Sequence, residues 1–473
     1  MLREFLQLLS GWSSLDTAIA VSAALTAMSC ALPGAWLVLR KHSMMGDALS
    51  HSALPGVVIA FLFAVGMKQA GWVSDAQEDA LLHVFLFAGA VGVGVATAWL
   101  TEWVQRLGRM ESGASLGVVF TSVFALGLLL IRLEVDDVHI DVDCVLFGII
   151  ETASLNNVPG TSIPEPVLVN GVILVINLLL TMLFYKELTL AAFDSGLATS
   201  LGIPAHGIHY GLMAVTAMTV VAAFTTVGSI LVIGLLILPA ATALLLSERL
   251  KVVLSLSVLF AGASALLGHA FTLTLPRMIF SRLGYNTVED AGTAGMMSVT
   301  AGLLFVAALV LAPRHGIVAK LIHQLRLGLK IAGDDVLGLL FRFEEKTATR
   351  PMDVSVPDLV AKQNGISPWL TSLSVRRLLR GGLISRHTSG ELRLTERGRD
   401  CAKSLVRAHR LWEAYMSKHF ELPDDHLHET AHRVEHFIDD EIQDRLRHEL
   451  DAPVTDPHGK NIPDKPGPAA GGP

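Results

Sequence analysis

Residues 209–247 read HYGLMAVTAMTVVAAFTTVGSILVIGLLILPAATALLLS and contain no Asp, Glu, Lys or Arg. A helix that crosses a bilayer needs about 20 mostly apolar residues, so this run is long enough for two spans. Gly228 lies near its middle, where a helix is most easily interrupted. The run therefore predicts two consecutive membrane helices and indicates a polytopic membrane protein.

The composition indicates a soluble part attached to this membrane part. The chain has 473 residues, of which 52% are hydrophobic and 17% charged, and its mean hydropathy is +0.53. Soluble domains carry about 25% charged residues. From Arg314 onward there are 24 Lys+Arg and 23 Asp+Glu, whereas residues 1–313 hold only 12 and 20. We therefore expect an apolar membrane domain followed by a charged, soluble domain.

Nine segments have the length and composition of membrane spans. They are residues 16–39, 48–66, 83–104, 114–132, 166–185, 209–227, 229–247, 252–275 and 292–312. Basic residues in short loops mark the cytoplasmic side, and here they follow the odd-numbered spans. Arg277 and Arg282 depart from this pattern. The pattern predicts a multi-pass protein, embedded in lipid, with its N-terminus outside and its C-terminal domain in the cytoplasm.

The segment RKHSMMGDALSHSALPG (40–56) carries the most informative polar residues of the membrane part. Asp47 and His51 are four residues apart, so they share one face of a helix. Ionisable residues within a span are costly and usually line a pathway, and a carboxylate with an imidazole suits Mn, Fe or Zn. Two interpretations stay open: a metal-binding pair, or a helix N-cap at Asp47 beside a packing histidine at His51.

Four stretches resemble, in order, the signatures of the manganese/zinc/iron permease family of ATP-binding-cassette (ABC) importers. They are LRKHSMMGDALSHSALPGVVIAF (39–61), FDSGLATSLGIPAHGIHYGLM (193–213), TTVGSILVIGLLILPAATALLL (225–246) and MMSVTAGLLFVAALVLAPRHGIV (296–318). The resemblance covers about residues 10–320. It implies a protein of the bacterial inner membrane in which Asp47 and His51 bind the transported metal. Since two residues cannot complete a metal shell, a second permease subunit across a two-fold axis should supply the rest.

The same resemblance implies that the second stretch couples the permease to its ATPase. Residues 187–208 are punctuated by Asp194, Gly196, Gly202 and Pro204, which suits a short surface helix, although an ordinary loop is the alternative. The chain has no GxxxxGK[ST] motif, the phosphate cradle that would hold ATP. We therefore expect a transport subunit that is not itself an enzyme. Its partners would be a separate ABC ATPase and a periplasmic or extracellular metal-binding protein.

The stretch DDVHIDVDCVLFG (136–148) is acidic and falls on the expected outer side. It resembles a motif of the manganese/iron branch of the family. It is interpreted either as an entry funnel for cations or as a solvated acidic loop.

The soluble third has the element order of a winged helix. Its predicted elements are helices at 333–346, 355–364 and 368–380 and a β-hairpin at 383–395. The third helix carries Arg376, Arg377 and Arg380. These arginines are a modest phosphate-binding footprint, which makes DNA a possible partner. Winged helices also serve as protein-interaction modules, and both interpretations stay open.

Histidines and carboxylates are dense near the end of the chain. The set comprises His409, Glu413, His428, His432, Glu435 and His436. His428, His432 and His436 recur every four residues, so within a helix at 422–446 they would lie along one face. The set suits Mn(II), Fe(II) or Zn(II), while a polar surface stripe is the alternative.

Residues 333–463 resemble the metal-dependent regulators of the diphtheria-toxin-repressor and manganese-regulator family. HRLWE (409–413), HETAHRVEH (428–436) and DPHGKNIP (456–463) carry the likeness. The resemblance implies a primary metal site at Asp335, His432, Glu435 and His436 and an ancillary site at His409, Glu413 and His428. His432 stands where iron-type members have cysteine and manganese-type members have glutamate, so the preferred metal is open. We expect no SH3-like third domain of the kind that some members have.

The fold expected from these patterns is mainly α. It comprises a membrane bundle of about nine spans at 1–320, a winged-helix domain at 333–400, a helical metal-binding and dimerisation domain at 401–463 and a Pro/Gly-rich disordered tail at 464–473. The leading function is an importer permease subunit for Mn, Fe or Zn whose C-terminal domain senses metal. The alternatives are a membrane-tethered, metal-dependent DNA-binding regulator and a fusion whose tail only dimerises.

Overall fold

The computed structural model describes residues 11–69, 78–134, 149–158, 161–282, 291–346, 367–387, 391–420 and 424–465. The chain divides into two compact units, Met1–Ala319 and Lys320–Pro473. The acidic stretch at 136–148, the expected helix at 355–364 and the hairpin tip at 388–390 lie outside the described residues.

The first unit is built from helices. They are α1 (Ser14–Leu39), α2 (Met44–Gln69), α3 (Glu78–Gly108), α4 (Ser112–Glu134), α5 (Ile150–Ala153), α6 (Glu165–Leu183), α7 (Tyr185–Phe193), α8 (Ser195–Ser200), α9 (Ala205–Val227), α10 (Ser229–Leu246), α11 (Leu250–Arg282) and α12 (Thr293–Leu311). Within the described residues, nine helices are long and apolar enough to cross a membrane, namely α1 to α4, α6 and α9 to α12. The expected polytopic α-helical bundle is therefore confirmed.

Gly228 separates α9 from α10, as the sequence predicts. The first helix ends at Val227 and the second begins at Ser229, and Gly228 between them has φ +77° and ψ 161°. A side chain with a Cβ rarely adopts this backbone conformation, whereas glycine adopts it at little cost. The single apolar run therefore becomes two helices at this residue.

Small residues let α2 and α3 approach closely. A Cβ added at Gly89 of α3 would lie 2.5 Å from the Cβ of Ala60 and 2.6 Å from the carbonyl oxygen of Gly56, both on α2. Membrane helices gain little from apolar burial against each other, so close packing of this kind supplies much of their association. The contact fixes α2, the helix that carries Asp47 and His51.

The second unit consists mainly of helices with one small sheet. After α13 (Ile317–Lys346), most of which belongs to this unit, come α14 (Pro368–Arg380), β1 (Ile384–Arg386), β2 (Leu392–Leu394), α15 (Glu396–His419), α16 (Asp424–Val434), a 3-10 turn (Glu435–Phe437) and α17 (Asp440–Glu449). The strands pair antiparallel, with Ile384 opposite Leu394. The expected third helix of the winged-helix order and the hairpin strands are therefore present.

The last helical region differs from the sequence expectation of a single helix over 422–446. The chain leaves the α-helix at Val434, passes through the 3-10 turn and starts α17 at Asp440. Asp439 is the N-cap of this new helix, and its Oδ1 accepts a hydrogen bond from the Ile442 amide at 2.8 Å. Aspartate is a favoured N-cap, so a new helix starts here, and His436 lies beyond the end of α16.

The close approach at Gly89 gives a test of the bundle. Gly89→Ala should lower stability by about 1–3 kcal/mol, the typical cost of overpacking, because α2 and α3 must separate to admit the methyl group. Gly92→Ala on the same helix is the control, since a Cβ there meets no atom within 4 Å. Thermal unfolding in detergent, followed by size-exclusion chromatography, measures the difference. Equal melting temperatures for the two variants would contradict the contact.

Candidate metal centres

Asp47 and His51 face each other on α2. The His51 Nε2 lies 3.3 Å from the Asp47 Oδ1, and the two side chains are 24% and 30% exposed. Asp47 lies inside the first turn of a helix that begins at Met44, so it is not the N-cap. The alternative interpretation of Asp47 as a helix cap is therefore wrong.

Two aromatic rings of α4 hold the imidazole of His51 in place. Its ring is stacked against Phe120, with centroids 5.9 Å apart, and is edge-on to Phe124 at 5.5 Å. Within the described residues, no third His, Cys, Asp or Glu joins Asp47 and His51 in a cluster. The pair thus offers a fixed imidazole and a carboxylate, which is an incomplete metal shell.

A polar cluster that the sequence did not indicate joins α3 to α9. Glu102 lies 3.3 Å from the Nε2 of His209 and accepts a hydrogen bond from the Tyr210 hydroxyl at 2.5 Å. Arg106, one turn further along α3, lies 3.4 Å from the same carboxylate. Only the Glu102–Arg106 spacing is visible in sequence, because the other partners lie more than 100 positions away. The cluster ties the start of α9 to α3.

The expected coupling segment forms two short helices, α7 and α8, rather than one. Asp194 ends α7 and caps α8, since its Oδ1 accepts a hydrogen bond from the Leu197 amide at 2.9 Å. Gly202, with φ +80°, allows the chain to turn toward α9. Gly196 is exposed on α8. Large apolar side chains are also exposed along the segment, at Phe193, Leu197 and Leu201.

The second unit brings together the four residues expected for a primary metal site. One ligand atom from each of Asp335, His432, Glu435 and His436 lies within 4.8 Å of the others. Asp335 comes from α13, His432 from α16, and Glu435 and His436 from the 3-10 turn. The turn that replaces the expected helix is what carries Glu435 and His436 toward Asp335. We refer to these four residues as the first centre.

Ion pairs connect the members of the first centre. The Asp335 Oδ1 lies 3.6 Å from the Nε2 of His432 and 3.4 Å from the Nε2 of His436. The Nδ1 of His432 lies 2.9 Å from the Glu435 Oε1. Burial favours the neutral imidazole of His436, but hydrogen bonds to Asp334 and Asp335 outweigh this and raise its pKa to about 9. Burial likewise opposes ionisation of Glu435, yet hydrogen bonds from His409 and His432 lower its pKa to about 2.

The three residues expected for the ancillary site also meet, and we refer to them as the second centre. The His409 Nε2, the Glu413 Oε1 and the His428 Nδ1 lie 2.8–3.1 Å from one another. His409 and Glu413 are buried, whereas His428 is exposed. Although burial favours protonation of Glu413, hydrogen bonds from His409 and His428 hold its pKa well below the usual range.

One contact links the two centres. The Nδ1 of His409 lies 2.5 Å from the Oε2 of Glu435, while the Nε2 of His409 faces the second centre. Arg342 adds positive charge to the same carboxylate, with its Nη2 3.4 Å from the Oε2. His409 therefore has one ring nitrogen at each centre.

The donor set fits a divalent metal. Both carboxylate oxygens of Asp335 are buried, and the contacts of Asp335 with His432 and His436, at 3.6 and 3.4 Å, are longer than well-formed hydrogen bonds. A buried carboxylate is costly unless it is paired with hydrogen bonds or coordinates a metal. Imidazole and carboxylate donors suit Mn(II), Fe(II) and Zn(II), and no thiolate is present that would favour a softer ion. A metal between Asp335, His432 and His436 would satisfy these oxygens.

The fold defines the chain as a multi-pass helical membrane protein whose second unit holds two His–carboxylate clusters. Residues 13–278 match the ABC 3 transport family, and residues 395–464 match the iron dependent repressor, metal binding and dimerisation domain. The chain therefore belongs to the ABC 3 transport family and carries a C-terminal iron-dependent-repressor domain.

Individual proteins agree with this assignment. The chain is 34% identical over 323 residues to the manganese transport system membrane protein MntD of Bacillus subtilis, which covers 68% of this chain and 100% of that protein. It is 33% identical over 390 residues to the zinc transport system membrane protein TroD of Treponema pallidum, and this match covers 82% of this chain and 97% of that protein. PsaBC from Streptococcus pneumoniae in complex with Fab is a similar solved structure, with a TM-score of 0.50 and 26% sequence identity. The match covers 67% of this chain and 98% of that chain.

Metal removal tests the first centre. Saturating Mn(II) or Zn(II) should raise the unfolding temperature of the second unit in the full-length protein, because a ligand at 100 times its Kd stabilises the folded state by about 2.7 kcal/mol. Asp335→Asn should lose the part of this gain that the first centre supplies, whereas Glu441→Gln, at an exposed carboxylate of α17, should keep the full gain. Differential scanning calorimetry with and without chelator measures the effect. An undiminished gain in Asp335→Asn would show that Asp335 is not a ligand.

Proposed function

We propose that this chain is the permease subunit of a bacterial ABC importer for a divalent transition metal, and that its second unit senses the same class of metal in the cytoplasm. The proposal rests on one observation: this chain carries two kinds of potential metal-ligand groups. The Asp47–His51 pair lies on a membrane helix, and two linked His–carboxylate centres lie in the second unit. The names of the manganese and zinc transport relatives support this class of substrate.

In the permease, Asp47 and His51 contact the metal as it passes. Their two donor atoms replace only part of its hydration shell, so the same pair from a second permease subunit completes the site. Partial coordination suits transport, because a substrate that is bound too tightly would not leave. Phe120 and Phe124 keep the imidazole directed toward its carboxylate.

The energy for transport comes from a separate ATPase that docks on α7 and α8. This surface is apolar at Phe193, Leu197 and Leu201, and exposed apolar patches mark protein interaction sites. Asp194 caps the start of α8, and Gly202 allows the chain to turn after it. The polar contacts of Glu102 with His209 and Tyr210 tie the next helix, α9, to α3. A periplasmic or extracellular binding protein delivers the metal from the other side of the membrane.

In the second unit, bound metal joins helices that are distant in sequence. A metal at the first centre fastens Asp335 of α13 to His432 of α16 and to His436 beyond it. The same helix α13 begins at Ile317, six residues after the last membrane helix ends at Leu311. Metal that prefers one conformation of this helix shifts the population of transporter states by its differential affinity. Cytoplasmic metal thereby lowers further uptake.

Uptake of radiolabelled Mn, Fe and Zn tests the transport site. Asp47→Ala should lower uptake of the true substrate at least about tenfold, because even outer-shell losses at metal sites cost 10–100-fold in affinity or activity. Glu111→Gln, at an exposed carboxylate, is the control and should transport normally. Membrane abundance is matched by immunoblotting. Normal metal uptake by well-expressed Asp47→Ala would refute the assigned role of this pair.

The sensing role has its own test. The double variant His432→Ala, His436→Ala should transport at the wild-type rate when cytoplasmic metal is low and should lose the inhibition that metal loading causes. The exposed His448→Ala variant controls for histidine loss outside the centres. Initial uptake rates in metal-starved and metal-loaded cells measure the basal transport rate and its inhibition by metal loading. An unchanged response to loading in the double variant argues against sensing by these residues.

A membrane-tethered transcription regulator is the second candidate. Arg376, Arg377 and Arg380 are exposed on α14 and make no ion pair with any described residue, so they are available to phosphate groups. Electrophoretic shift of DNA by the full-length protein in nanodiscs, with and without Mn(II), tests it. Metal-dependent and sequence-selective binding that is lost in Arg376→Ala, Arg377→Ala would favour regulation of transcription.

A further inference from the structure

The second centre has too few ligands for a closed metal site. His409, Glu413 and His428 supply three donor atoms. A structural zinc site has four protein ligands, and a three-ligand site keeps an open position for water or substrate. Glu435 touches His409 through its Oε2, but its Oε1 faces His432 in the first centre.

A short turn after α17 brings one more imidazole to this place. Thr455 pairs with Asn461, and within the turn the Gly459 amide donates to the Asp456 carbonyl at 3.0 Å. The Asp456 Oδ1 accepts a hydrogen bond from the Lys460 amide at 2.8 Å. Gly459 has φ +77°, a conformation that favours glycine. The turn is thus well defined, and His458 lies within it.

Arg410 fastens the turn to α15. Its guanidinium is buried and donates through Nη1 to the Asn461 carbonyl at 2.5 Å, and its Nε lies 3.7 Å from the Asp456 Oδ2. Ile462 packs beside the core of Leu411 and Ile438. Arg410 lies next in sequence to His409, so the turn is held against the helix that carries two members of the second centre.

We propose that His458 is a fourth protein ligand of the second centre, so that metal there fastens the terminal segment, residues 451–464, to α15. The proposal rests on the proposed function, because it requires the second unit to bind metal. The His458 Nε2 lies 3.8 Å from the Glu413 Oε1, the same oxygen that contacts His409 and His428. Two donors about 2.1 Å from one tetrahedral ion lie about 3.4 Å apart, so His458 Nε2 needs only a small inward movement to reach that separation from Glu413.

The exposure of His458 leaves it room to turn inward. Its side chain is 34% exposed, and its ring centroid lies 6.5 Å from that of His428. A rotation of the side chain that shortens this separation would bring Nε2 closer to the donor atoms of Glu413 and His428. The completed set would be three neutral imidazoles and one carboxylate, which suits Zn(II) as well as Mn(II) or Fe(II). The terminal turn thus becomes part of the metal site.

Metal titration of the full-length protein tests the proposal. The chain is studied in nanodiscs with Asp47→Ala and His51→Ala present, so that only the second unit binds, and isothermal titration is done with Zn(II) and Mn(II). His458→Ala should weaken one of two sites about 10–100-fold, a typical loss when a supporting metal-site group is removed, and leave the other unchanged. The exposed His448→Ala is the matched control and should change neither.

Two further measurements separate ligation from a structural role. Hydrogen exchange of residues 451–464 should slow on metal binding in the parent and not in His458→Ala. His458→Glu should restore binding and shift preference from Zn(II) toward Mn(II), because it exchanges an imidazole for a carboxylate. Two sites with unchanged affinity in His458→Ala would overturn the fourth ligand and leave the sensing role intact. Absence of metal binding in the second unit of the parent would overturn both.

Discussion

A buried charge needs a partner, and this constraint shapes both units. In the membrane part, a run such as residues 209–247 holds no Asp, Glu, Lys or Arg. Where ionisable groups do enter the bundle they occur together, as Asp47 with His51 and Glu102 with His209. In the second unit the same rule gathers histidines around buried carboxylates. The cost of an unpaired buried charge is several kcal/mol, so the polar residues inside each unit are found in clusters.

Much of the fold follows from local sequence. The sequence predicts the membrane helices because the bilayer sets the length of an apolar helix that crosses it. It predicts the break at Gly228 because glycine adopts that backbone conformation at less cost than other residues. The helix Pro368–Arg380 is also local, with proline at its start and glycine after its end. These features depend on residues within one or two turns of each other, which is why sequence alone predicts them.

The candidate sites were only partly accessible to the same reasoning. Spacing indicates Asp47 with His51 and His409 with Glu413, because residues four apart share a helix face. It does not place His428 in a different cluster from His432, because both lie on α16 and only their partners, Glu413 of α15 and Asp335 of α13, distinguish the two clusters. Sequence spacing does not indicate Asp335 or His458. Asp335 is implied by the family resemblance, and the position of His458 depends on how its turn packs against α15.

The contact between His409 and Glu435 gives the two centres a shared physical basis. Each residue faces its own centre through one atom, and the remaining atoms, His409 Nδ1 and Glu435 Oε2, lie 2.5 Å apart. A hydrogen bond to the far side of a ligand fixes its orientation and tunes its basicity. Under the proposed function, Glu435 therefore orients a ligand of the second centre, and His409 orients a ligand of the first.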